Sequence, residues 1–260
     1  MMRHDSARTC SPRKFTVQYL LFSLIFAGLT LLLLFVAVYF DGGKFVSETD
    51  ALPDETTIQN DFCIVLDAGH GGEDGGAVGV NGVLEKTINL QIAEMLHDML
   101  VLADIPVVMT RTEDKMLYDP NADFRGRKKM LDLRTRLDIA EQTNGGILVS
   151  IHLNSFSQSK YHGLQVYYSA NHSNSLSLAE TIQSTARTYL QPQNDRQVKA
   201  AGSNIYLLDR IQKPGVLVEC GFLSNPEECA QLSDEAYLGK LSTMLLHAIF
   251  TYHAQCTEGS

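Results

Sequence analysis

Residues 62–76 read FCIVLDAGHGGEDGG. The run Phe62, Cys63, Ile64, Val65, Leu66 shows no polar–apolar alternation, the pattern of a strand buried on both faces, and it breaks at once into Asp67 and a glycine-rich loop carrying His70. Such a strand belongs inside a sheet with helices on either side. Ligands in open sheets of this kind sit in the loops that follow strand C-termini, so the polar residues after Leu66 stand where chemistry is expected. The glycines have neither the G-K-[ST] ending of a phosphate loop nor the G-x-G-x-x-G spacing of a dinucleotide site. Their use here is to let the backbone turn tightly around His70.

Working outward, short apolar runs recur at 107–111, 147–152, 164–168, 205–208 and 216–220, and with 62–66 they predict six strands. Between them the spacing turns helical: Ile88, Ile92, Met95, Leu96 and Met99; Met130, Leu133, Leu137 and Ala140; Leu178, Ile182, Ala186 and Leu190; Leu241, Leu245, Leu246, Ile249 and Tyr252. Strands alternating with helices predict an α/β fold, a single domain over 61–255 with a mostly parallel, twisted six-stranded sheet and helices on both faces. No internal repeat or low-complexity tract is present, which excludes a repeat array for ligand binding.

Upstream of this domain, residues 17–40 carry no charge. At about 1.5 Å per residue such a run crosses a bilayer core of about 30 Å as a helix. The flank 1–16 holds Arg3, Arg8, Arg13 and Lys14 against Asp5 alone, so the positive-inside rule predicts a cytoplasmic N-terminus and an extracytoplasmic domain. The run is longer than the apolar core of a cleaved signal, and Ala37-Val38-Tyr39 is a poor cleavage site; it reads as an uncleaved membrane anchor. Residues 41–60, rich in Gly, Ser, Thr, Asp and Glu, read as a linker. A net charge of −9 excludes a general nucleic-acid binder. Five cysteines with no C-x-x-C pair exclude a zinc ribbon and a thioredoxin-type motif, and Cys63 and Cys220, inside apolar runs, read as buried free thiols.

The strand 147–152 sends Ile147, Val149 and Ile151 to one face and Leu148, Ser150 and His152 to the other, leaving His152 at its end. Glu85 stands where the first amphipathic helix begins. His70, Glu85 and His152, each expected at the same edge of one sheet, make the three-ligand set of a catalytic zinc, with a fourth position open for water. In the last strand Leu217, Glu219 and Gly221 alternate with Val216, Val218 and Cys220, which places a carboxylate inside an apolar element. Such a group needs a cation or a function; beside the metal Glu219 is the candidate general base and acid, and a salt bridge to Arg111 or Arg136 is the competing structural reading. Asp67 is expected to orient His70 from behind, Asn154 to bind substrate, and Arg136 to support the site. His97, His247 and His253 fall in helical patterns and read as surface or packing residues, while His162 and His172 lie in polar loops flanking the fourth strand. Arg125, Arg127, Lys128 and Lys129 form a basic cluster, read as a solvated face or as a groove edge toward peptide carboxylates.

The stretches Val65-Leu66-Asp67-Ala68-Gly69-His70-Gly71-Gly72, Leu84-Glu85-Lys86, Met109-Thr110-Arg111-Thr112-Glu113-Asp114, Ser150-Ile151-His152-Leu153-Asn154 and Val218-Glu219-Cys220-Gly221-Phe222-Leu223-Ser224-Asn225 together resemble the zinc-dependent N-acetylmuramoyl-L-alanine amidases of the type-3 family. The resemblance covers essentially the whole domain. It implies that His70, Glu85 and His152 hold one Zn²⁺, that Glu219 is the catalytic glutamate, and that the substrate is peptidoglycan, cut between the lactyl carbonyl of N-acetylmuramic acid and the L-alanine of the stem peptide. Ala68, where a proline is frequent, and Glu141, where an asparagine is, depart from the family pattern without touching this set. The cysteine in Val-Glu-Cys-Gly-Phe, the continuation Asn225-Pro226-Glu227-Glu228 and the lack of wall-binding repeats resemble the spore-cortex branch, whose members remove stem peptides so that muramic δ-lactam forms. A vegetative autolysin for cell separation, a non-catalytic peptidoglycan-binding regulator, and a zinc carboxypeptidase or deacetylase on the same polymer are the alternatives, and an accessory protein is left open.

Overall fold

The structure, a computed structural model, describes residues 62–119, 121 and 126–258. In chain order it contains β1 (Cys63–Ala68), α1 (Glu85–Leu102), β2 (Val107–Met109), α2 (Lys128–Gln142), β3 (Gly146–Asn154), β4 (Gln165–Tyr168), α3 (Asn174–Tyr189), β5 (Lys199–Ala200), α4 (Tyr206–Arg210), β6 (Gly215–Phe222), α5 (Pro226–Gln231) and α6 (Glu235–Glu258). The strands form one six-stranded sheet in the order β2-β1-β3-β6-β4-β5. Every neighbouring pair is parallel except β4 with β6, which run antiparallel.

The sheet is sandwiched because its central strands are apolar on both sides. Ile64 and Leu66 of β1, Ile147, Val149 and Ile151 of β3, and Val216, Val218 and Cys220 of β6 enter one core with Ile88 and Ile92 of α1, Leu178 and Ile182 of α3, and Leu241 and Leu245 of α6. The alternate residues Val65, Leu148 and Leu217 enter a smaller core with Ala140 of α2 and Leu207 and Leu208 of α4. Each fully buried Leu or Ile contributes about 1.5–3 kcal/mol by leaving water, so both faces are held by the same force. The expected alternation in β3 and β6 is therefore present, and Cys63 and Cys220 are buried free thiols.

One sequence expectation needs correction. Residues 205–208, expected as a strand, lie in and just before the short helix α4, whose Leu207, Leu208 and following Ile211 cover the smaller core; an apolar run this short carries no periodicity that separates strand from helix. The sixth strand is instead β5, two exposed residues paired with Tyr167 and Tyr168 of β4. The basic flank 1–16, the anchor 17–40, the linker 41–60 and Arg125 lie outside the described residues. Among the described residues no helix is long and apolar enough to cross a membrane.

Candidate metal centre

The C-terminal ends of the parallel strands β1 and β3 and the start of α1 carry the cluster. His70 stands two residues beyond β1 with φ of 62°, a left-handed conformation rare for a residue with a side chain. Gly69 before it is required by close approach: a Cβ there would meet Nε2 of His152 at 2.3 Å. Glu85 opens α1, and the chain reaches it through Gly76, where φ is 68° and a Cβ would meet Oε2 of Glu85 at 2.6 Å. The loop's glycines thus bring backbone, two imidazoles and a carboxylate into one place. His70, Glu85 and His152 each offer a ligand atom, all within 4.8 Å of one another.

Oε1 of Glu85 lies 3.2 Å from Nε2 of His70 and 3.0 Å from Nδ1 of His152. The same carboxylate accepts backbone N–H groups from Leu153 on Oε1 and from Ala77 on Oε2. Burial opposes its charge, but the donors and imidazoles around it hold the carboxyl far below the usual carboxylate range. Burial likewise acts against protonation of His70, and Glu85 with Asp74 outweighs it and raises its pKa. Two imidazoles and an ionised, buried carboxylate are a donor set suited to zinc, so the residues fit the metal that the sequence implies.

Glu219 pairs in register with His152 across β3 and β6. Its Oε2 is buried without a hydrogen-bond partner. Burial, offset by His152 and reinforced by Glu85, pushes its pKa up to about 7. The competing salt bridge to Arg111 or Arg136 is not formed. Arg136 donates to Asp67, Asp132 and the carbonyls of Ala68 and His70, and Arg111 donates to the carbonyls of Ala68, Gly69, Lys86 and Glu113. Between them the two guanidiniums grip three successive carbonyls of the chain that presents His70.

Asp67 therefore acts on His70 at one remove and not directly. It accepts from Thr110, Ser150 and Arg136, and the carboxylate at Nδ1 of His70 is Asp74, 3.0 Å away but not aligned as a hydrogen bond. Asp74, four residues after His70 in the same loop, was within reach of sequence reading; Asp132, on α2, was not. Asn154 ends β3, where its Oδ1 accepts from the Ser155 N–H. In the basic cluster Lys128 pairs with Glu73 and Lys129 with Asp74. His253 packs against Phe62 at a tilt, His247 meets Tyr189 edge-on, and Nδ1 of His172 accepts from the Asn174 N–H; none of them joins the site.

A cavity of about 190 Å³ opens beside the cluster, lined by His70, His152, Lys129, Leu133, Asn204 and Tyr206 among others. A larger one, about 870 Å³, lies at the opposite end of the sheet around Phe62, Gly146 and Pro214 and holds none of these residues.

Residues 64–251 match the N-acetylmuramoyl-L-alanine amidase family model. A germination-specific N-acetylmuramoyl-L-alanine amidase of Bacillus subtilis is 35% identical over 192 residues, which span 74% of this chain and 80% of that protein. Among solved structures, the CwlD amidase of Clostridioides difficile, in complex with the GerS lipoprotein, is 39% identical with a TM-score of 0.70, covering 74% of this chain and 98% of that one. The catalytic domain of CwlV, an N-acetylmuramoyl-L-alanine amidase of Bacillus (Paenibacillus) polymyxa, is 30% identical with a TM-score of 0.62, covering 74% and 98%. With the match running from β1 into α6, this chain belongs to the N-acetylmuramoyl-L-alanine amidase family.

Proposed function

We propose that this chain hydrolyses the amide between N-acetylmuramic acid and L-alanine in peptidoglycan, with one Zn²⁺ held by His70, Glu85 and His152 and with Glu219 moving the proton. The observation that carries the reading is the register of Glu219 opposite His152, with Oε2 unpartnered and a pKa of about 7. Zinc bound there supplies Lewis-acid chemistry, polarising the scissile carbonyl and easing the ionisation of water at neutral pH. Glu219 takes a proton from the attacking water and hands it to the departing alanine nitrogen. His70, Glu85 and His152 would hold the metal, His70 from a loop that Arg111 and Arg136 grip by its carbonyls.

The biological setting we infer is the spore cortex, where stem-peptide removal precedes muramic δ-lactam formation; the likeness to a germination-specific amidase supports it. The chain is tethered by residues 17–40 with its catalytic domain outside the cytoplasm, a reading supported by the uncharged run and its basic flank. A lipoprotein accessory is part of the proposal, since CwlD was solved with one. The test is digestion of purified peptidoglycan with added Zn²⁺, analysed by mass spectrometry. Intact stem peptides released by the protein, and not by a chelated sample, support the amidase; free D-alanine or acetate would point to the other hydrolases, and zinc binding without any release even with a lipoprotein partner to a regulator.

A further inference from the structure

The face of the sheet that bears Asp67, Ser150, His152 and Glu219 continues beyond Glu219 onto β4, where Gln165 sits opposite Glu219 and Tyr167 opposite Leu217. A second cavity opens there, about 400 Å³, lined by Phe156, Tyr161, Gln165, Tyr167, Arg196 and Lys199 among others. Its parts are held in place. The Arg196 guanidinium lies 4.5 Å from the ring centroid of Phe222 and donates through Nε to the His162 carbonyl and through Nη1 to Oε1 of Gln165. Its Nη2 has no hydrogen-bond partner among the described residues. Phe222 is buried and its backbone N–H is bound by the carboxylate of Glu228. Phe156 and Tyr161 stack on that ring although they are 53% and 38% exposed.

Charge separates the two flanks of Glu219. Lys128 and Lys129, on the α2 side, are matched by Glu73 and Asp74, whereas among the described residues neither Arg196 nor Lys199 has a carboxylate at salt-bridge distance. Tyr167 lies between the two centres: burial and the Glu219 carboxylate push its hydroxyl up while Arg196 pulls it back. A cavity with a guanidinium held by Phe222 and Gln165, a second cation in Lys199 and exposed aromatic walls suits an acidic peptide.

On the amidase reading the departing nitrogen is next to Glu219, and the face that carries Glu219 continues onto Gln165 and Tyr167 of β4. Resting on the amidase reading, we propose that this cavity is the subsite for the departing peptide, with Arg196 and Lys199 taking the carboxylate of the residue after alanine and Phe156 and Tyr161 covering its backbone. Cross-strand neighbours stand about 4.5–5.5 Å apart, so Gln165 is beside Glu219, and Arg196, which donates to Oε1 of Gln165, is one side chain farther from the cluster.

The test uses the full chain with Zn²⁺ and two soluble substrates, N-acetylmuramoyl-L-alanyl-D-glutamate with its α-carboxylate free, and the same compound with that group amidated. The wild type should prefer the acid by about tenfold or more in kcat/KM, the size expected for a charge-assisted contact. Arg196→Gln should bring the ratio near one through KM, and Arg196→Lys should keep part of it. A wild type indifferent to the carboxylate, or a ratio that survives in Arg196→Gln, would overturn the proposal. If neither substrate is cut, the amidase reading fails, and calorimetry with L-alanyl-D-glutamate and its amide still judges the subsite. Tenfold weaker binding of the acid by Arg196→Gln supports it, and equal affinities overturn it.

Discussion

Replacing Arg136 by methionine removes a guanidinium that is 1% exposed and makes five hydrogen bonds, from Nε and Nη2 to Asp132, from Nη1 to Asp67 and the Ala68 carbonyl, and from Nη2 to the His70 carbonyl. Methionine fills much of the volume and supplies no donor, so Asp67 and Asp132 stay buried without their cation. Removing one partner of a buried ion pair costs about 3–5 kcal/mol. At about 2–4 °C per kcal/mol for a domain of this size, the melting temperature falls by about 6–20 °C. The pH dependence identifies the cause. Burial raises the pKa of Asp67, and Arg136 and Ser150 more than compensate, lowering it from 3.8 to about 2. A depressed carboxyl stabilises the fold above its unfolded value, and that contribution, about 2 kcal/mol, is lost as the pH falls from about 4 toward 2. In Arg136→Met the Asp67 pKa rises instead, so the gap between the two proteins should narrow as the pH is lowered from neutrality toward about 2. Denaturant unfolding of chelated, metal-free protein across that range measures it. A loss below about 1 kcal/mol, or a gap that stays constant with pH, would refute the reasoning.

Glu219→Gln should retain one equivalent of zinc and lose hydrolysis by about 10²–10⁴-fold; near-normal turnover would remove Glu219 from the reaction. His70→Ala and His152→Ala should each bind well under one equivalent by metal analysis while keeping the wild-type circular dichroism, and a full equivalent in either would contradict the ligand assignment. Gly69→Ala puts a methyl group 2.3 Å from the His152 ring, so zinc affinity should fall at least tenfold, a loss on the scale seen when groups supporting ligands are disturbed; titration with a competing chelator reads it, and unchanged affinity would mean that the loop yields without cost.

The sequence reveals those parts of the fold whose cause is local. β1, β3 and β6 are apolar on both faces and leave an unambiguous mark; His70 and His152 were legible because they follow or end such runs, Glu219 because it interrupts one, and Glu85 because it stands where an amphipathic helix begins. β5 was not legible, since its two residues are exposed and are strands only through pairing with β4. The antiparallel placement of β4 against β6 depends on which edge is free once β3 and β6 have paired, a matter of tertiary assembly. What the guanidiniums hold was hidden for the same reason. Arg136 was expected at the site, but which groups it holds was not legible, since its partner Asp67 is 69 positions away. The substrate-side cation Arg196 carries no motif, and its meaning appears only when Gln165 and Phe222 are seen beside it.

The sheet order has a consequence for timing. β6, the last strand in the chain, occupies an interior position between β3 and β4. Until it arrives, a growing chain has two strand groups with open edges and an unclosed core, and on the proposed mechanism it lacks Glu219 and is not competent to cut. A hydrolase aimed at the polymer that encloses its own cell thus stays harmless until synthesis is nearly finished, and a break anywhere between His70 and Glu219 divides the site between two fragments.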